Sequence, residues 1–486
     1  MVQMAFKEAW NALCEANVNG TTTSLVINAN ETYIVQPQLF QGPCASRNIH
    51  IQIDGKLEAP KMVREWGNYE SKCWLCFTNV KGLVLNGSGI LHPHGEAWWS
   101  SIEHSHRPRT IGFSGSSNIL YNGLTQMNSP KNHISILDCT NVTLSNFHLI
   151  APKDSPNTDG IDIAHSNNIR IFNSSIQTGD DCIAINGGSY DINITHVACG
   201  PGHGISIGSL GRYSVNDTVQ NVKIRHCSFN GTENGARIKT WTVRGGLGVA
   251  KNILYENITL TDTKYPIIID QHYCNGGHNC TKEAMTAVKV SNVTFRYFTG
   301  TCANDIAIKL DCDEVTGCKD IVMEHINITS SSTKRPLTAY CQFADIISHF
   351  VSMKIKCDYY EEPLVPVEPP QQVEPPTPTK PLAPAKPPRH VGPLMPTKPP
   401  TMFPKPLAPA KSPRHVELPM PTKPPTMFPK PLAPAKPPRH VEPPMPTKPP
   451  TMFPKPLAPA KPPVYYAKPP APNAQPSMLS FLSCLI

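Results

Sequence analysis

The chain contains 486 residues, and its prolines and charges are distributed very unevenly. Forty-two of the 53 prolines lie between Pro363 and Pro476. Residues 363–486 hold 15 Lys/Arg against 4 Asp/Glu, whereas residues 1–362 hold 29 against 32. The composition predicts a folded domain at 1–360 and a low-complexity tail at 361–486 that has too few large apolar residues to build a core. Because the positive charge lies in this Pro-rich tail, without a motif for base contact, a nucleic-acid partner is not expected.

The N-terminal segment is predicted to be helical over Ala5–Cys14. No positively charged region followed by an apolar stretch precedes it, so no signal peptide is visible. No run of 18 apolar residues occurs, and no membrane span or membrane partner is predicted. We interpret the N-terminus as truncated, with an intracellular variant as the alternative. A missing first coil would leave the end of a solenoid uncapped.

Fifteen of the 16 cysteines lie in the body of the chain. Cys73 and Cys76 form a lone CxxC without a second pair, and no repeated zinc-ligand pattern appears, so metal or redox use of these cysteines is not expected. The body also has twelve Asn-X-Ser/Thr sequons, although many of them also fit a strand that begins at a turn. Cysteines and sequons together favour a secreted, disulfide-bonded glycoprotein.

A short pattern recurs between about residues 110 and 330: Asn or Asp, then alternating Ile or Val, then a break. Its starts are separated by 27, 23, 30, 31, 40 and 28 residues, at Asn141, Asn168, Asp191, Asn221, Asn252, Asn292 and Asp320. Such spacing is typical of one solenoid turn per repeat. Because the units are short β-rich runs, the pattern predicts an all-β parallel β-helix, with a β-sandwich as the alternative.

Carboxylates and cations recur at about one coil length along this solenoid. Asp159 precedes Asp180 by 21 residues, and Asp180 precedes His203 by 23. Equivalent residues in adjacent coils lie about 4.8 Å apart along the axis. We therefore expect Asp159, the Asp180/Asp181 pair and His203 on one face, followed by the cations of later coils. Carboxylates that share a site shift each other's pKa, and a long open groove lined in this way suits a polymer.

Four segments, in order, resemble the plant polygalacturonases, a family of pectin-cleaving glycoside hydrolases. They are Ser155–Asp162, Thr178–Ile185, Gly202–Ser209 and Arg237–Thr240, supplemented by Asp270–Cys274. The resemblance runs from about Phe6 to Cys357. It implies a right-handed parallel β-helix, hydrolysis of α-1,4 bonds between galacturonic acid units with inversion, and no cofactor. It also supports disulfides that join Cys182 with Cys199, Cys312 with Cys318, and Cys341 with Cys357, which spacing alone does not fix.

The resemblance assigns proton donation to Asp180, while Asp159 and Asp181 hold and deprotonate the attacking water. His203 lies between two glycines, which let the backbone approach a ligand closely, and it is expected to orient or tune a nearby Asp. The structural alternative is that the aspartates cap strand turns. For Asp162 we favour that alternative.

Arg237 and Lys239 alternate along a strand, so both point to one face, where they are expected to grip a galacturonate carboxylate. Tyr273 is assigned a sugar contact by resemblance, and Asn157 is a candidate substrate contact. The chain departs from the plant family after Lys239, where a Gln-Gly-Gly stretch often follows the Trp. The edge of the groove is therefore expected to differ.

Two other functions compete with hydrolysis. A β-elimination lyase would need a calcium site and a basic proton abstractor, which the Asp pair and Gly-His-Gly fit poorly. A non-catalytic pectin-binding wall protein is disfavoured by the intact Asp triad.

The tail repeats Lys-Pro-Leu-Ala-Pro-Ala-Lys from Lys380 with a period of 25, which favours polyproline II. The tail is interpreted as a spacer or as a segment that attaches the enzyme to pectin or other wall polymers. The enzyme is expected to be a monomer, and the choice between internal and terminal cleavage stays open.

Overall fold

The computed structural model describes residues 2–16, 23–67, 72–100, 103, 106–241, 246–274, 287–332 and 336–358. All of them belong to one compact unit, Met1–Pro375. The predicted tail at 361–486 lies outside the described residues, as does the stretch 242–245 where the chain departs from the plant family.

Strands dominate the described part of the chain. Two α-helices, α1 (Val2–Glu15) and α2 (Glu96–Trp99), and 3-10 turns at Val63–Trp66 and Arg212–Ser214 accompany them. In chain order the strands are β1 (Thr23–Ile27), β2 (Thr32–Ile34), β3 (Gln38–Gln41), β4 (Ile49–Ile53), β5 (Lys56–Glu58), β6 (Cys73–Thr78), β7 (Lys81–Asn86), β8 (Ile90–His92), β9 (Arg109–Ser114), β10 (Ser117–Asn122), β11 (Thr125–Met127), β12 (Ile134–Leu137), β13 (Thr140–Ser145), β14 (His148–Ile150), β15 (Ile161–Ala164), β16 (Asn167–Gln177), β17 (Ile183–Ile185), β18 (Ser189–Cys199), β19 (Ile205–Leu210), β20 (Asn216–Arg225), β21 (Ser228–Asn230), β22 (Asn234–Trp241), β23 (Leu247–Thr263), β24 (Tyr265–Tyr273), β25 (Lys289–Cys302), β26 (Ile306–Asp311), β27 (Cys318–Ser330), β28 (Thr338–Gln342) and β29 (Ala344–Val351).

Two long sheets run along the molecule. One contains eleven of the strands described here, in the order β3, β6, β9, β12, β15, β17, β19, β22, β24, β26 and β28, and the other contains the remaining eighteen. Each strand pairs in parallel with its counterpart in the next coil, as in β15 with β17 and β17 with β19. This is a parallel β-helix, which confirms the predicted fold class and excludes the β-sandwich.

The register of the larger sheet reproduces the spacing read from the sequence. Residues paired in successive coils are Val142, Ile169, Ile192, Val222, Ile253, Val293 and Ile321. Each follows by one position the Asn or Asp at which a repeat begins. All seven side chains are buried, so an apolar residue repeats once per coil because each coil must cover the apolar surface of its neighbours.

An asparagine ladder fixes the corner at which each repeat begins. Asn118, Asn141, Asn168, Asn221, Asn252 and Asn292 all have φ between 50° and 59°, which asparagine tolerates better than most residues. Side-chain amides of adjacent coils bond at 2.7 to 3.2 Å, as from Asn252 to Asn221 and from Asn221 to Asp191. Since Asn141 and Asn292 are also sequon asparagines, these two sequons have a structural explanation.

Helix α1 packs over the first described coil. Phe6, Trp10 and Leu13 are buried, and the Trp10 Nε1 donates a hydrogen bond of 3.1 Å to the Gln41 carbonyl. A disulfide joins Cys14 in α1 to Cys44. The apolar side of α1 therefore serves as the cap that a solenoid end requires.

The three disulfides favoured by the family resemblance are all present: Cys182–Cys199, Cys312–Cys318 and Cys341–Cys357. The lone CxxC is closed as a disulfide between Cys73 and Cys76. Cys139, Cys227 and Cys302 are buried free thiols. Among the described residues, no helix is both long and apolar enough to span a bilayer.

Candidate active site

The smaller sheet brings the predicted site residues together from adjacent coils. Ile161, Ile183 and Ile205 are paired across β15, β17 and β19. Asp159, Asp181 and His203 each lie two residues before one of these paired isoleucines. The predicted ladder is therefore present, with Asp180 one position earlier at the mouth of the same turn.

Arg237 reaches the site from the next coil, β22, where it pairs with Ser206 of β19. The isoleucines on either side of Ser206 are buried, so the serine side chain faces outward between them. Lys239 follows two positions later on the same strand and points to the same face, as its spacing predicted.

Asp181 is the most enclosed carboxylate of the cluster, with only 1% of its surface exposed. Its Oδ1 contacts the Arg237 Nη2 and accepts a 3.0 Å hydrogen bond from the Ser206 hydroxyl, and its Oδ2 accepts one of 2.8 Å from the Lys239 Nζ. The Arg237 Nε also donates to the Ser206 Oγ at 2.8 Å. Both cations are thus bound to a protein carboxylate, a contact that the sequence interpretation did not anticipate.

Asp180 lies at the surface of the cleft and is held by three donors. The His203 Nδ1 lies 2.8 Å from its Oδ1, the Asp181 amide donates to the same oxygen at 2.9 Å, and the Asn157 Nδ2 donates to Oδ2 at 3.0 Å. Burial raises the pKa of Asp180, but the hydrogen bond and charge of His203, with Lys239 and Arg237, outweigh burial and lower the pKa to about 2.

Two other groups beside Asp180, Asp159 and His203, have raised pKa values. Burial, followed by the carboxylate of Asp180, raises the pKa of Asp159 well above its ordinary value of 3.8. Burial lowers the pKa of His203, yet the hydrogen bond and charge of Asp180 more than offset it and raise the pKa above 6.5. In the unliganded cleft Asp159 and His203 therefore bind a proton more readily than usual, whereas Asp180 loses its proton more readily.

Asp162, for which we favoured a structural role, lies in β15 in register with Ala184 of β17. Burial raises the pKa of Asp162 to about 6, against the opposing charge of Arg109. It does not line the cleft described below.

The glycines that flank His203 are required by the packing of adjacent coils. Gly202 and Gly204 have φ of 132° and 80°. A Cβ on Gly202 would lie 2.5 Å from the Asp180 carbonyl oxygen, and one on Gly204 would lie 2.1 Å from the Asn234 carbonyl oxygen. The two glycines thus let the His203 segment pack closely between its neighbouring coils.

A cleft of about 600 Å³ connects these groups with later coils. Asn157, Asp180 and His203 line one part of it, and Lys309 and Asp311 line another. The Lys239 ammonium lies 5.2 Å from the centre of the Tyr273 ring, and Tyr273 contacts Trp241 edge-on at 5.3 Å. Tyr273 and Asn157 thus both border the cleft, and Asp181 lies behind the lining residues Arg237 and Lys239. Asp159 does not line the cleft but is near enough for the charge of Asp180 to raise its pKa.

Further polar residues line the cleft that the sequence interpretation did not assign to it. The His272 Nδ1 lies 2.8 Å from the Asp311 Oδ1, and the Lys309 Nζ lies 3.2 Å from the Asp311 Oδ2. Glu233 approaches the His203 Nε2 at 3.9 Å. Lys309 belongs to the cleft because of its register: Arg237 is paired with Ile268, and Ile268 is paired with Lys309, so the three residues follow one another across adjacent strands of the smaller sheet.

Comparison with known proteins agrees with this fold and cluster. The model of the Glycosyl hydrolases family 28 matches residues 18–347. The chain belongs to this family of glycoside hydrolases.

Particular relatives are polygalacturonases of plants. A probable polygalacturonase of Arabidopsis thaliana is 43% identical over 332 residues, 68% of this chain and 70% of the relative. Polygalacturonase-2 of Solanum lycopersicum is 39% identical over 346 residues, 70% of this chain and 74% of the relative. The crystal structure of an endo-xylogalacturonan hydrolase from Aspergillus tubingensis superposes with a TM-score of 0.60 at 24% identity, over 73% of this chain and 95% of that one, and supports the fold.

Proposed function

We propose that this protein hydrolyses the α-1,4 bonds between galacturonic acid units of polygalacturonate, the acidic backbone of pectin, with inversion at the anomeric carbon. The observation that carries this proposal is a cluster of three carboxylates at one open cleft: Asp180 lines the cleft, and the charges of Asp180 and Asp181 both act on Asp159. Family membership makes the chain a glycoside hydrolase and does not favour the non-catalytic wall-binding alternative.

Asp180 is the proton donor to the glycosidic oxygen in this proposal. Asp159 and Asp181 hold the attacking water, which requires a water-sized space between the carboxyl groups. Asp181 is the group that accepts the proton of this water, because the raised pKa of Asp159 favours its protonated form. Asp181 is suited to this task because Arg237, Lys239 and Ser206 fix both of its oxygens. A rigid carboxylate positions the water without a reorganisation cost at the moment of reaction.

The charge of the polymer accounts for the step from an ionised Asp180 to an acid. In the free cleft His203, Lys239 and Arg237 lower the pKa of Asp180. A galacturonate carboxylate that contacts Lys239 or Arg237 offsets their charge, so the pKa of Asp180 rises when substrate binds. The proton then passes from His203 to Asp180 along their 2.8 Å hydrogen bond.

The test is the release of reducing sugar from polygalacturonic acid, with viscosity followed in parallel. We expect Asp180→Asn to lower the rate by at least about 100-fold, as loss of a general acid does. Asp154→Asn, at an exposed loop aspartate, is the matched control and should cleave like the unsubstituted protein. Fast viscosity loss indicates internal cleavage, and slow loss indicates attack from an end. No release by the folded protein would contradict hydrolysis and favour the wall-binding alternative.

We further propose that the protein acts outside the cell, at the plant cell wall. Five disulfides among the described residues support an oxidising compartment. The basic, proline-rich composition of residues 361–486 suits attachment to an acidic polysaccharide.

A further inference from the structure

Glu58, His92 and His94 form a second cluster of ionisable groups, none of which lines the cleft. Glu58 ends β5 and is paired with His92, which ends β8 in the next coil. His94 has a φ of 55°, and the two imidazole rings lie with their centres 4.0 Å apart and their planes inclined by 44°. The sequence His92-Pro93-His94 thus places two imidazoles beside one carboxylate.

Both histidines bury a ring nitrogen without a hydrogen bond. The side chain of His94 is 9% exposed and that of His92 is 14% exposed. The Nε2 atoms of both are shielded from solvent and have no hydrogen-bond partner among the described residues. The His94 Nε2 lies 3.7 Å from a Glu58 oxygen, and the His92 Nε2 lies 3.8 Å from a Glu96 oxygen, both beyond hydrogen-bond distance. Since buried polar atoms in folded proteins almost always have a partner, two adjacent exceptions indicate a ligand that completes them.

The spacing of these atoms suits a metal ion. One ligand atom from each of the three residues lies within 4.8 Å of the others, and the His94 Nε2 is 3.7 Å from the Glu58 Oε2. Ligands about 2.0–2.2 Å from a tetrahedral ion are separated by roughly 3.3 Å, so small side-chain rotations complete the site.

Glu96 supplies the outer support that such sites use. The His94 Nδ1 lies 3.3 Å from the Glu96 Oε1, so His94 can donate its N–H there and direct the lone pair of Nε2 inward. A carboxylate that orients a histidine in this way is a regular feature of metal sites. Lys56 contacts the other oxygen of Glu58, Oε1, and leaves Oε2 for the ion.

We propose that Glu58, His92 and His94 bind one divalent transition-metal ion of the zinc class. Two imidazoles and one carboxylate are ligands suited to Zn²⁺, and a water completes a tetrahedron. The ion would join β5, β8 and the start of α2. From α2 the Trp99 carbonyl accepts a 3.0 Å hydrogen bond from Arg107, which also donates to the Pro156 carbonyl at 3.1 Å, beside Asn157 of the cleft. The site is structural and takes no part in the hydrolysis.

The test is a titration of the metal-free full-length protein with Co²⁺, which gives a visible absorption band when bound tetrahedrally, followed by displacement with Zn²⁺. We expect one ion per chain. His92→Gln and His94→Gln should each weaken binding by more than about 100-fold, beyond the loss caused by outer-shell changes. His148→Gln, at an exposed histidine that bonds Ser175, is the matched control. Lys56→Met should tighten binding because it removes the competitor for Glu58.

The ion could instead bind in the catalytic cleft, where Asp180, Asp181 and His203 also offer three ligand atoms close together. The cobalt band should persist in Asp180→Asn; its disappearance there would place the ion in the catalytic cleft and overturn the proposal. A band that survives His94→Gln, or no band at equimolar Co²⁺, would overturn it as well. Should the histidine variants fail to fold, X-ray absorption of the Zn²⁺-loaded unsubstituted protein decides: two imidazole ligands are expected, and one or none contradicts the site.

Discussion

Asp159 is needed for the proposed catalysis, but its ionised form destabilises the fold. Its pKa is raised above 3.8 by burial and by neighbouring carboxylates, so the folded state binds this proton more tightly than the unfolded chain. Stability contributed by the site therefore falls as the pH rises from 3.8 through the folded pKa. Placing these carboxylates together lowers the free energy of unfolding, and the packing of the rest of the solenoid offsets this loss.

Asp159→Asn should consequently abolish cleavage and stabilise the fold at neutral pH. Asparagine has no charge to bury, so we expect a higher midpoint of thermal unfolding at pH 7, by about 2 °C for each kcal/mol relieved. The gain should shrink towards pH 4, close to the ordinary pKa of 3.8, because the unfolded chain then also begins to bind this proton. Calorimetry at the two pH values, beside Asp154→Asn, checks this, and a lower midpoint at pH 7 would contradict it.

His203 determines where the cleft keeps its mobile proton. Because the pKa of His203 is raised by Asp180, this proton is held below that raised pKa and lost as the pH rises through it. His203→Gln removes the proton and its hydrogen bond to Asp180. We expect kcat to fall about 100-fold and the basic limb of the kcat/KM profile to move to lower pH.

A pH–rate series between pH 3 and 8 would measure this shift. An unchanged basic limb with a lower kcat would mean that His203 only packs beside Asp180. His196→Gln is a suitable control, since His196 stacks on His226 at another corner of the solenoid.

The role of a residue was predictable only where a short sequence motif or the alternation of residues along a strand indicated it. The segment around Asp180 and Asp181 predicted the carboxylate cluster, and alternation predicted that Arg237 and Lys239 share a face. The ion pairs from these two cations to Asp181 were not predictable, because they depend on a lateral contact between coils 56 and 58 residues apart. Ser206 escaped notice for the same reason.

At the scale of elements, the asparagine ladder gives each coil a fixed corner. Asn221 donates to Asp191 at 2.9 Å and accepts from Asn252 at 3.0 Å, with a φ of 58°. Asn221→Ala should destabilise the fold by about 2–4 kcal/mol, because it removes two hydrogen bonds and puts alanine in the left-handed region, which asparagine tolerates better.

Asn221→Gly separates these two causes, since glycine adopts positive φ readily. It should cost only about 1–2 kcal/mol, the share of the lost hydrogen bonds. Urea unfolding of both variants provides the measurement. Equal losses would show that the backbone conformation contributes nothing, and no loss in either would remove the ladder as a source of stability.

The strand repeat was the part of the fold that the sequence predicted best. Starts at Asn141, Asn168 and Asp191 matched the register of the larger sheet because one apolar pair and one left-handed corner recur per coil. The cover provided by α1 was not foreseen, since Phe6, Trp10 and Leu13 show their partner only when the first coil is in place.

At the scale of the whole molecule, the hydrolase and the tail are predicted to be separable. A chain that ends after Asp358 should cleave soluble polygalacturonate at the rate of the full chain, because the cleft residues all precede this point. It should bind insoluble pectin more weakly at low salt, since residues 363–486 carry 15 Lys/Arg against 4 Asp/Glu.

Co-sedimentation with pectin at two salt concentrations, alongside the soluble assay, checks both expectations. Equal binding by both chains would assign the tail a spacer role. A loss of soluble activity in the shorter chain would contradict the predicted boundary.

The smaller sheet keeps one register although the chain length per coil varies. Successive partners of Asp162 are Ala184, Ser206, Arg237, Ile268 and Lys309, at intervals of 22, 22, 31, 31 and 41 residues. Extra residues are therefore accommodated outside the strands of this sheet, in turns and in longer strands of the larger sheet: β23 has 17 residues, whereas β16 has 11. In evolutionary terms, an insertion or deletion in the gene at a turn reshapes the rim of the cleft and leaves the spacing of the acids intact. Descendants of one ancestral enzyme can thus diverge in the polymers they accept while inheriting the same chemistry.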